Sequence, residues 1–238
     1  MSTALHDVRA LTFDVFGTVV DWRSSVIDEG LALGARLGLQ VDWPAFADAW
    51  RAGYPLAMDE VRSGALPWMD IDKLHRRILD RLLTERGLVW TETEAAHFNL
   101  AWHRLRAWPD SAAGLALMKP RLTLCTLSNG NVTLLSDLVR HNLLPFDHVL
   151  SAELFRHYKP DPEVYLGAAA HLGLAPSQLM MVAAHPSDLR AAATCGLRTA
   201  YVARPDENGP GGSMAPWTPG EFDIAATDFV DLARQLQA

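Results

Sequence analysis

With 238 residues, 49% of them hydrophobic and 21% charged, the chain has the balance of an ordinary globule and length for one large domain or two modest ones. Its formal charge of −7 provides no basic stripe for nucleic-acid phosphates, and no run approaches the roughly 20 apolar residues that a membrane span needs. The start, MSTALHDVRAL, lacks the cationic opening and long apolar core of a secretory leader. Cys125 and Cys195 lie in apolar surroundings and read as small buried hydrophobes instead of a disulfide, which suits an expected cytoplasmic location.

Residues 9–15 read as the first strand. From about 22 to 106 the pattern is almost wholly helical, with segments near 22–38, 43–63, 70–87 and 91–106. The spacing of Leu74, Ile78 and Leu82 shows the helical period. Strands and helices then alternate: strand 121–128, helix 132–142, a short strand around His148 to Leu150, helix 162–173, strand 178–184, helix 188–196 ended by Gly196, and strand 198–203. Residues 204–220 carry Gly or Pro at eight of seventeen positions and read as a loop, before a short strand near 222–226 and a helix near 227–237. Alternation of this kind predicts right-handed crossovers and a parallel sheet. The expected fold is therefore α/β, a Rossmann-like core with an inserted helical cap: core 1–20 and 107–238, cap 21–106.

Ligands of such sheets bind at the carboxyl ends of the strands. There the sequence places Asp14, then Ser128, Asn129 and Gly130, then Tyr158, Lys159, Pro160 and Asp161, then Ala184 and His185 with Asp188 one turn on. Each has a bland reading alone: Ser128 or Asn129 as a helix cap, Lys159 as a solvated charge, Asp188 as a first-turn acid favoured by the helix dipole. Asp14, Ser128, Lys159 and Asp188 at four strand tips together point to a site.

The order DVFGT, a strand ending in SNG, YKPDPEVY, and a strand leading to Asp188 resembles the haloacid dehalogenase superfamily over essentially the whole chain. Within it the chain is most similar to the L-specific (type II) 2-haloacid dehalogenases. Phosphatases of the superfamily carry a second acid two positions after the nucleophile, where Phe16 stands here, and a further magnesium-binding acid where Ala184 stands here. Halide leaves as a stable anion and needs no proton. Both departures imply a dehalogenase with no metal and no cofactor.

Such a resemblance implies that Asp14 attacks the halogen-bearing carbon of a short 2-haloalkanoic acid, giving an ester that water hydrolyses to the inverted 2-hydroxy acid. Lys159 is expected to keep Asp14 ionised, Ser128 to hold an oxygen, Thr18 to fix the first loop and Asp188 to serve the hydrolytic water. His185 is a rival base through its neutral imidazole, or a pocket wall. Backbone amides near Phe16, Ser128 and Asn129 are expected to take the substrate carboxylate. The family context implies Arg51 as halide receptor, aided by Asn129, with Phe16, Tyr54 and Trp68 as walls and Tyr165 as a brace. A homodimer is expected, with haloacid and halide as the small-molecule partners. A phosphatase or phosphonate hydrolase of the same superfamily, or a non-catalytic binding protein on this fold, is the alternative.

Overall fold

A computed structural model describes residues 6–237. The first five residues of the segment read against a leader, and the outermost ends of the core boundaries at 1–5 and 238, lie outside the described residues. The chain divides into two compact units, Met1–Asp21 with Arg106–Ala238, and Trp22–Leu105.

The first unit is built on a six-stranded parallel sheet. Its strands are β1 (Ala10–Phe13), β4 (Thr123–Ser128), β5 (His148–Ser151), β6 (Leu179–Ala183), β7 (Arg198–Val202) and β8 (Ile224–Ala226), ordered β5-β4-β1-β6-β7-β8. Strand β1 pairs with β4 on one side and β6 on the other, so its four residues are buried on both faces. That explains why ALTF reads as a continuous apolar run with no alternation. The ladder continues one residue past the strand, because the Asp14 N–H donates to Val182 O at 3.0 Å. A carboxylate at this position is thus held by the middle of the sheet.

The crossovers are α5 (Ser111–Met118), α6 (Val132–His141), α7 (Pro162–His171), α8 (Pro186–Thr194) and the closing α9 (Phe229–Gln237). Helix α8 starts two residues earlier than the sequence pattern suggests. Pro186 occupies its first turn, where a missing N–H costs nothing. Helix α5 has no counterpart in the sequence reading: SAAGLALM is apolar all round and shows no amphipathic period. Its Gly114 lets it close on α9, since a Cβ there would lie 2.3 Å from Phe229 Cβ. Also unread was the two-residue antiparallel pair β2 (Val20–Asp21) and β3 (Arg106–Ala107), too short to carry a period.

The second unit contains α1 (Trp22–Leu37), α2 (Trp43–Arg62), α3 (Ile71–Glu85) and α4 (Glu92–Asn99). The helix expected over 91–106 ends early: Leu100–His103 tightens into a 3-10 turn, and Arg106 is already in β3. Starts are set by side chains. Asp42 and Asp70 accept from Ala45 N–H and Lys73 N–H at 2.9 and 3.0 Å, and Thr91 forms a capping box with Glu94. The core is aromatic. Phe46, Trp50 and Trp102 are fully buried, and Trp50 stacks on Phe98 at 5.3 Å. Trp43 lies against Gly30 and Gly34 of α1, where a Cβ on Gly30 would sit 2.3 Å from the indole. Truncating one of these tryptophans to alanine is expected to cost about 3–5 kcal/mol. Among the described residues no helix is long and apolar enough to cross a membrane.

Candidate active site

The carboxyl ends of β1, β6 and the segment after β5 converge on the Asp14 carboxylate. Its Oδ1 accepts from Lys159 Nζ at 3.0 Å. Its Oδ2 accepts from the Thr18 hydroxyl at 2.8 Å and faces His185 Nδ1 at 3.0 Å. Asp14 is 7% exposed and Lys159 8%, so this pairing is sheltered from water. Burial by itself would push the Asp14 carboxyl up, but Lys159 and then His185 outweigh it and hold the group well below the usual carboxylate range. Asp14 is an ionised, lightly hydrated carboxylate, the state a nucleophile requires.

Lys159 is itself positioned from two sides. Its ammonium donates to Asp188 Oδ2 at 2.5 Å, and Tyr165 OH donates to Asp188 Oδ1 at 2.5 Å. Burial works against the lysine charge, yet Asp14 and Asp188 raise its pKa. Burial and the Asp188 charge push the Tyr165 phenol up as well, so it stays a donor. The Asn129 side chain holds the Lys159 backbone: Oδ1 accepts from the Lys159 N–H at 2.6 Å, and Nδ2 donates to the Lys159 carbonyl at 3.2 Å.

Two expectations change here, for Ser128 and His185. Ser128 does not hold an oxygen of Asp14. Its Oγ accepts from the Gly130 N–H at 3.2 Å, satisfying the turn that leaves β4. Asn129, expected to help halide, also positions Lys159 through these backbone bonds. His185 is not a neutral imidazole: burial opposes its charge, but hydrogen bonds to Asp14 and Glu207 raise its pKa to about 10. Asp14 is the stronger of the two partners, and Glu207, 9% exposed, is the second, its Oε1 and Oε2 lying 2.9 and 3.1 Å from His185 Nε2. Glu207 was missed because it lies in the Gly/Pro-rich stretch after β7. Applying the strand-end rule to β7 as well would have found it, together with Arg204. That buried arginine donates to Thr18 O at 2.9 Å and pairs with Asp110 at 2.8 Å, tying down the nucleophile loop.

The first loop is shaped to admit these groups. Gly17 has φ +83°, and a Cβ there would lie 2.0 Å from Glu207 Oε1. Thr18 Oγ1 also accepts from the Ala184 N–H at 3.0 Å, joining the loop to the end of β6. Phe16 is buried beside Gly130, whose Cβ would lie 3.2 Å from its ring.

Arg51 belongs to α2 of the second unit. Its guanidinium lies 4.7 Å from the Tyr54 ring centroid and 5.7 Å from that of Trp22. Its Nη1 is buried and has no hydrogen-bond partner among the described residues. Trp68 is half-buried in the loop between α2 and α3.

Parallel strands that bring an ionised aspartate, a lysine and a second aspartate to one edge, with a helical unit inserted after the first strand, define an α/β fold of hydrolase type. The sequence pattern of the haloacid dehalogenase-like hydrolases matches residues 8–196, and the chain belongs to that family. An (S)-2-haloacid dehalogenase of Pseudomonas sp. (strain YL) is 35% identical over 202 residues, covering 83% of each chain. The crystal structure of a defluorinating L-2-haloacid dehalogenase superposes with a TM-score of 0.93 at 45% identity, covering 97% of this chain and 96% of that one. An L-2-haloacid dehalogenase from Xanthobacter autotrophicus with chloropropionic acid covalently bound gives 0.80 at 26% identity over 97% and 99%.

Proposed function

We propose that the protein hydrolyses the carbon–halogen bond of a short (S)-2-haloalkanoic acid, without a metal, through an ester on Asp14. The observation that carries this reading is the ionised Asp14 between Lys159 and His185, with Phe16 and Ala184 where phosphate chemistry would want acids. The relatives described above are 2-haloacid dehalogenases, and the covalently bound chloropropionic acid of one of them is consistent with an enzyme-linked intermediate.

In the first step an Asp14 oxygen attacks C2 of the substrate from behind. The carbon–halogen bond breaks with its electron pair going to halide, and configuration inverts. No proton is needed, so an acid at position 16 has no task. A phenylalanine there keeps water from the nucleophile instead. Thr18 and Lys159 hold the carboxylate in line for attack. In the second step water adds to the Asp14 carbonyl carbon and the acyl–oxygen bond breaks, so the inversion survives in the 2-hydroxy acid.

Charge counting supports a role for Arg51. Asp14, Asp188 and Glu207 against Lys159 and a protonated His185 leave this cluster with an excess negative charge. An anionic substrate that releases a second anion needs a cation from elsewhere. Arg51, with a buried guanidinium nitrogen lacking a partner among the described residues and aromatic rings around it, suits a large, weakly hydrated halide. A divalent metal does not fit the donor set: position 184 offers a methyl group, and the Lys159 ammonium already bridges Asp14 and Asp188.

Halide release from chloroacetate and from both enantiomers of 2-chloropropionate, with EDTA present, tests the reading. Turnover of the (S) enantiomer that survives chelation is expected. Activity restricted to magnesium and phosphate esters would overturn it. In a single turnover in ¹⁸O-water with enzyme in excess, label should enter the Asp14 peptide and not the hydroxy acid. Labelled product with unlabelled enzyme would mean direct attack of water on the substrate.

A further inference from the structure

Hydrolysis of an Asp14 ester requires a group to take a proton from the attacking water. Asp188, the carboxylate that the sequence offers, has both oxygens engaged: Oδ1 accepts from Tyr165 OH and Oδ2 from the Lys159 ammonium, each at 2.5 Å. A carboxylate paired in this way is held rigidly, with neither oxygen turned to a water on Asp14. It serves Lys159. His185 is placed differently, with Nδ1 3.0 Å from an oxygen of the carboxyl group that water must attack. A base needs that reach, directly or through one water.

We propose that His185 is the proton acceptor in hydrolysis of the Asp14 ester, and that Glu207 is the positioning residue that sets its tautomer; the proposal rests on the dehalogenase reading above. In the resting site Nδ1–H faces Asp14 and Nε2–H faces Glu207, so the imidazole is held as a cation between two anions. Ester formation removes one of those anions. The imidazolium then faces a neutral ester on one side, and its Nδ1 proton passes to solvent, to which the side chain is 29% exposed. Glu207 keeps the Nε2 proton in place, which turns the Nδ1 lone pair towards Asp14.

Water then attacks the Asp14 carbonyl carbon and gives one proton to Nδ1. The tetrahedral intermediate collapses with cleavage of the acyl–oxygen bond. The departing alkoxide takes the second water proton from the new hydroxyl, and Asp14 is again a carboxylate beside an imidazolium. The proton produced by the overall reaction therefore leaves with the halide, in the first step. Directly around the imidazole stand Asp14 at the end of β1 and Glu207 in the loop after β7. Lys159 and Asp188 lie one partner further out, and Arg204, near the same loop, is paired with Asp110. The fold makes room for this arrangement, since any side chain at position 17 would collide with Glu207 Oε1.

The test is a rapid-quench single turnover of (S)-2-chloropropionate by the wild type, Glu207→Gln and His185→Asn. Each form should still release about one halide per site, more slowly in His185→Asn, where Asp14 keeps only Lys159 as a cation. Hydrolysis of the Asp14 adduct, followed by peptide mass, should slow on the order of 10²-fold in both variants. A pH indicator should report one proton per site with the halide burst of the wild type and none in His185→Asn. Glu207→Gln is isosteric and keeps an acceptor, so it guards against a folding artefact. In it the acid limb of adduct hydrolysis should move at least one pH unit lower, because a neutral amide holds the imidazolium less firmly. A merely structural glutamate would not move that limb. If the wild type forms and clears an adduct and both variants clear it as fast, the His185–Glu207 assignment is wrong while the dehalogenase reading stands. If no halide or adduct appears with any form of the protein, both fall.

Discussion

Replacing Lys159 by methionine keeps most of the side-chain volume and removes only the charge and the donors that join Asp14 to Asp188. At the observed 3.0 Å and an effective dielectric constant of about 20, the ammonium–carboxylate attraction is roughly 5 kcal/mol. That attraction is the largest of the effects that hold the Asp14 carboxyl below the usual range. His185 remains on Oδ2 and retains part of the depression, so the Asp14 carboxyl should rise without losing all of it. Burial then acts on Asp14 with less opposition. The halide burst, flat down to acid pH in the wild type, should acquire an acid limb at higher pH in Lys159→Met. Two sheltered carboxylates would also be left without their shared cation. The denaturation midpoint should fall by the equivalent of about 3–5 kcal/mol. The assays are the burst amplitude and rate across pH, and urea unfolding at neutral pH. A burst profile as flat as the wild type's, with unfolding unchanged, would refute the claim that the ammonium keeps the nucleophile ionised.

Arg51→Ala should slow halide release on the order of 10²-fold, as loss of an oxyanion-type donor does, and Arg51→Lys should retain part of the rate because charge survives without the planar fork; equal rates in all three forms would make the arginine a packing residue. His75, 1% exposed in the second unit, has its pKa pushed well below 6.5 by burial and then by Arg51 and His103. The unfolded chain therefore takes up this proton first, so stability should be full above pH 6.5 and decline as pH falls below it, by up to about 1.4 kcal/mol per unit. Urea titrations below pH 6.5 should show that slope in the wild type and lose it in His75→Phe; His185 acts only above 6.5, where its raised pKa makes stability fall as pH rises towards about 10. Gly17→Ala should cost about 1–2 kcal/mol through its left-handed backbone alone, and by displacing Glu207 it should slow adduct hydrolysis more than the halide burst; equal slowing of both steps would count against the placement of Glu207.

The architecture was legible because its signals are local. A double-sided parallel strand is a continuous apolar run, as at ALTF and LMMVA, and a helix packed on one face repeats with its own period, as along α3. The elements that escaped lack such signals: α5 is apolar all round, and β2 and β3 are two residues each. The strand-end rule likewise brought Asp14, Lys159 and Asp188 forward as a group, since topology alone delivers strand tips to one edge.

What each of those side chains bonds to was decided only by the tertiary structure. Ser128 and Asn129 are polar residues at a strand tip in either case. Whether they face the nucleophile or their own loops depends on the positions of Gly130 and the Lys159 backbone in space. The protonation of His185 depends on Asp14, 171 residues away, and on Glu207, which lies 22 residues away and makes sense only once the loop after β7 folds back over Gly17. A pKa is set by charges a few ångströms distant, because Coulomb energy falls with separation in space and takes no account of separation along the chain. Sequence therefore determined which ionisable groups were supplied to this edge of the sheet; their charge states and division of labour came from how the loops closed around them.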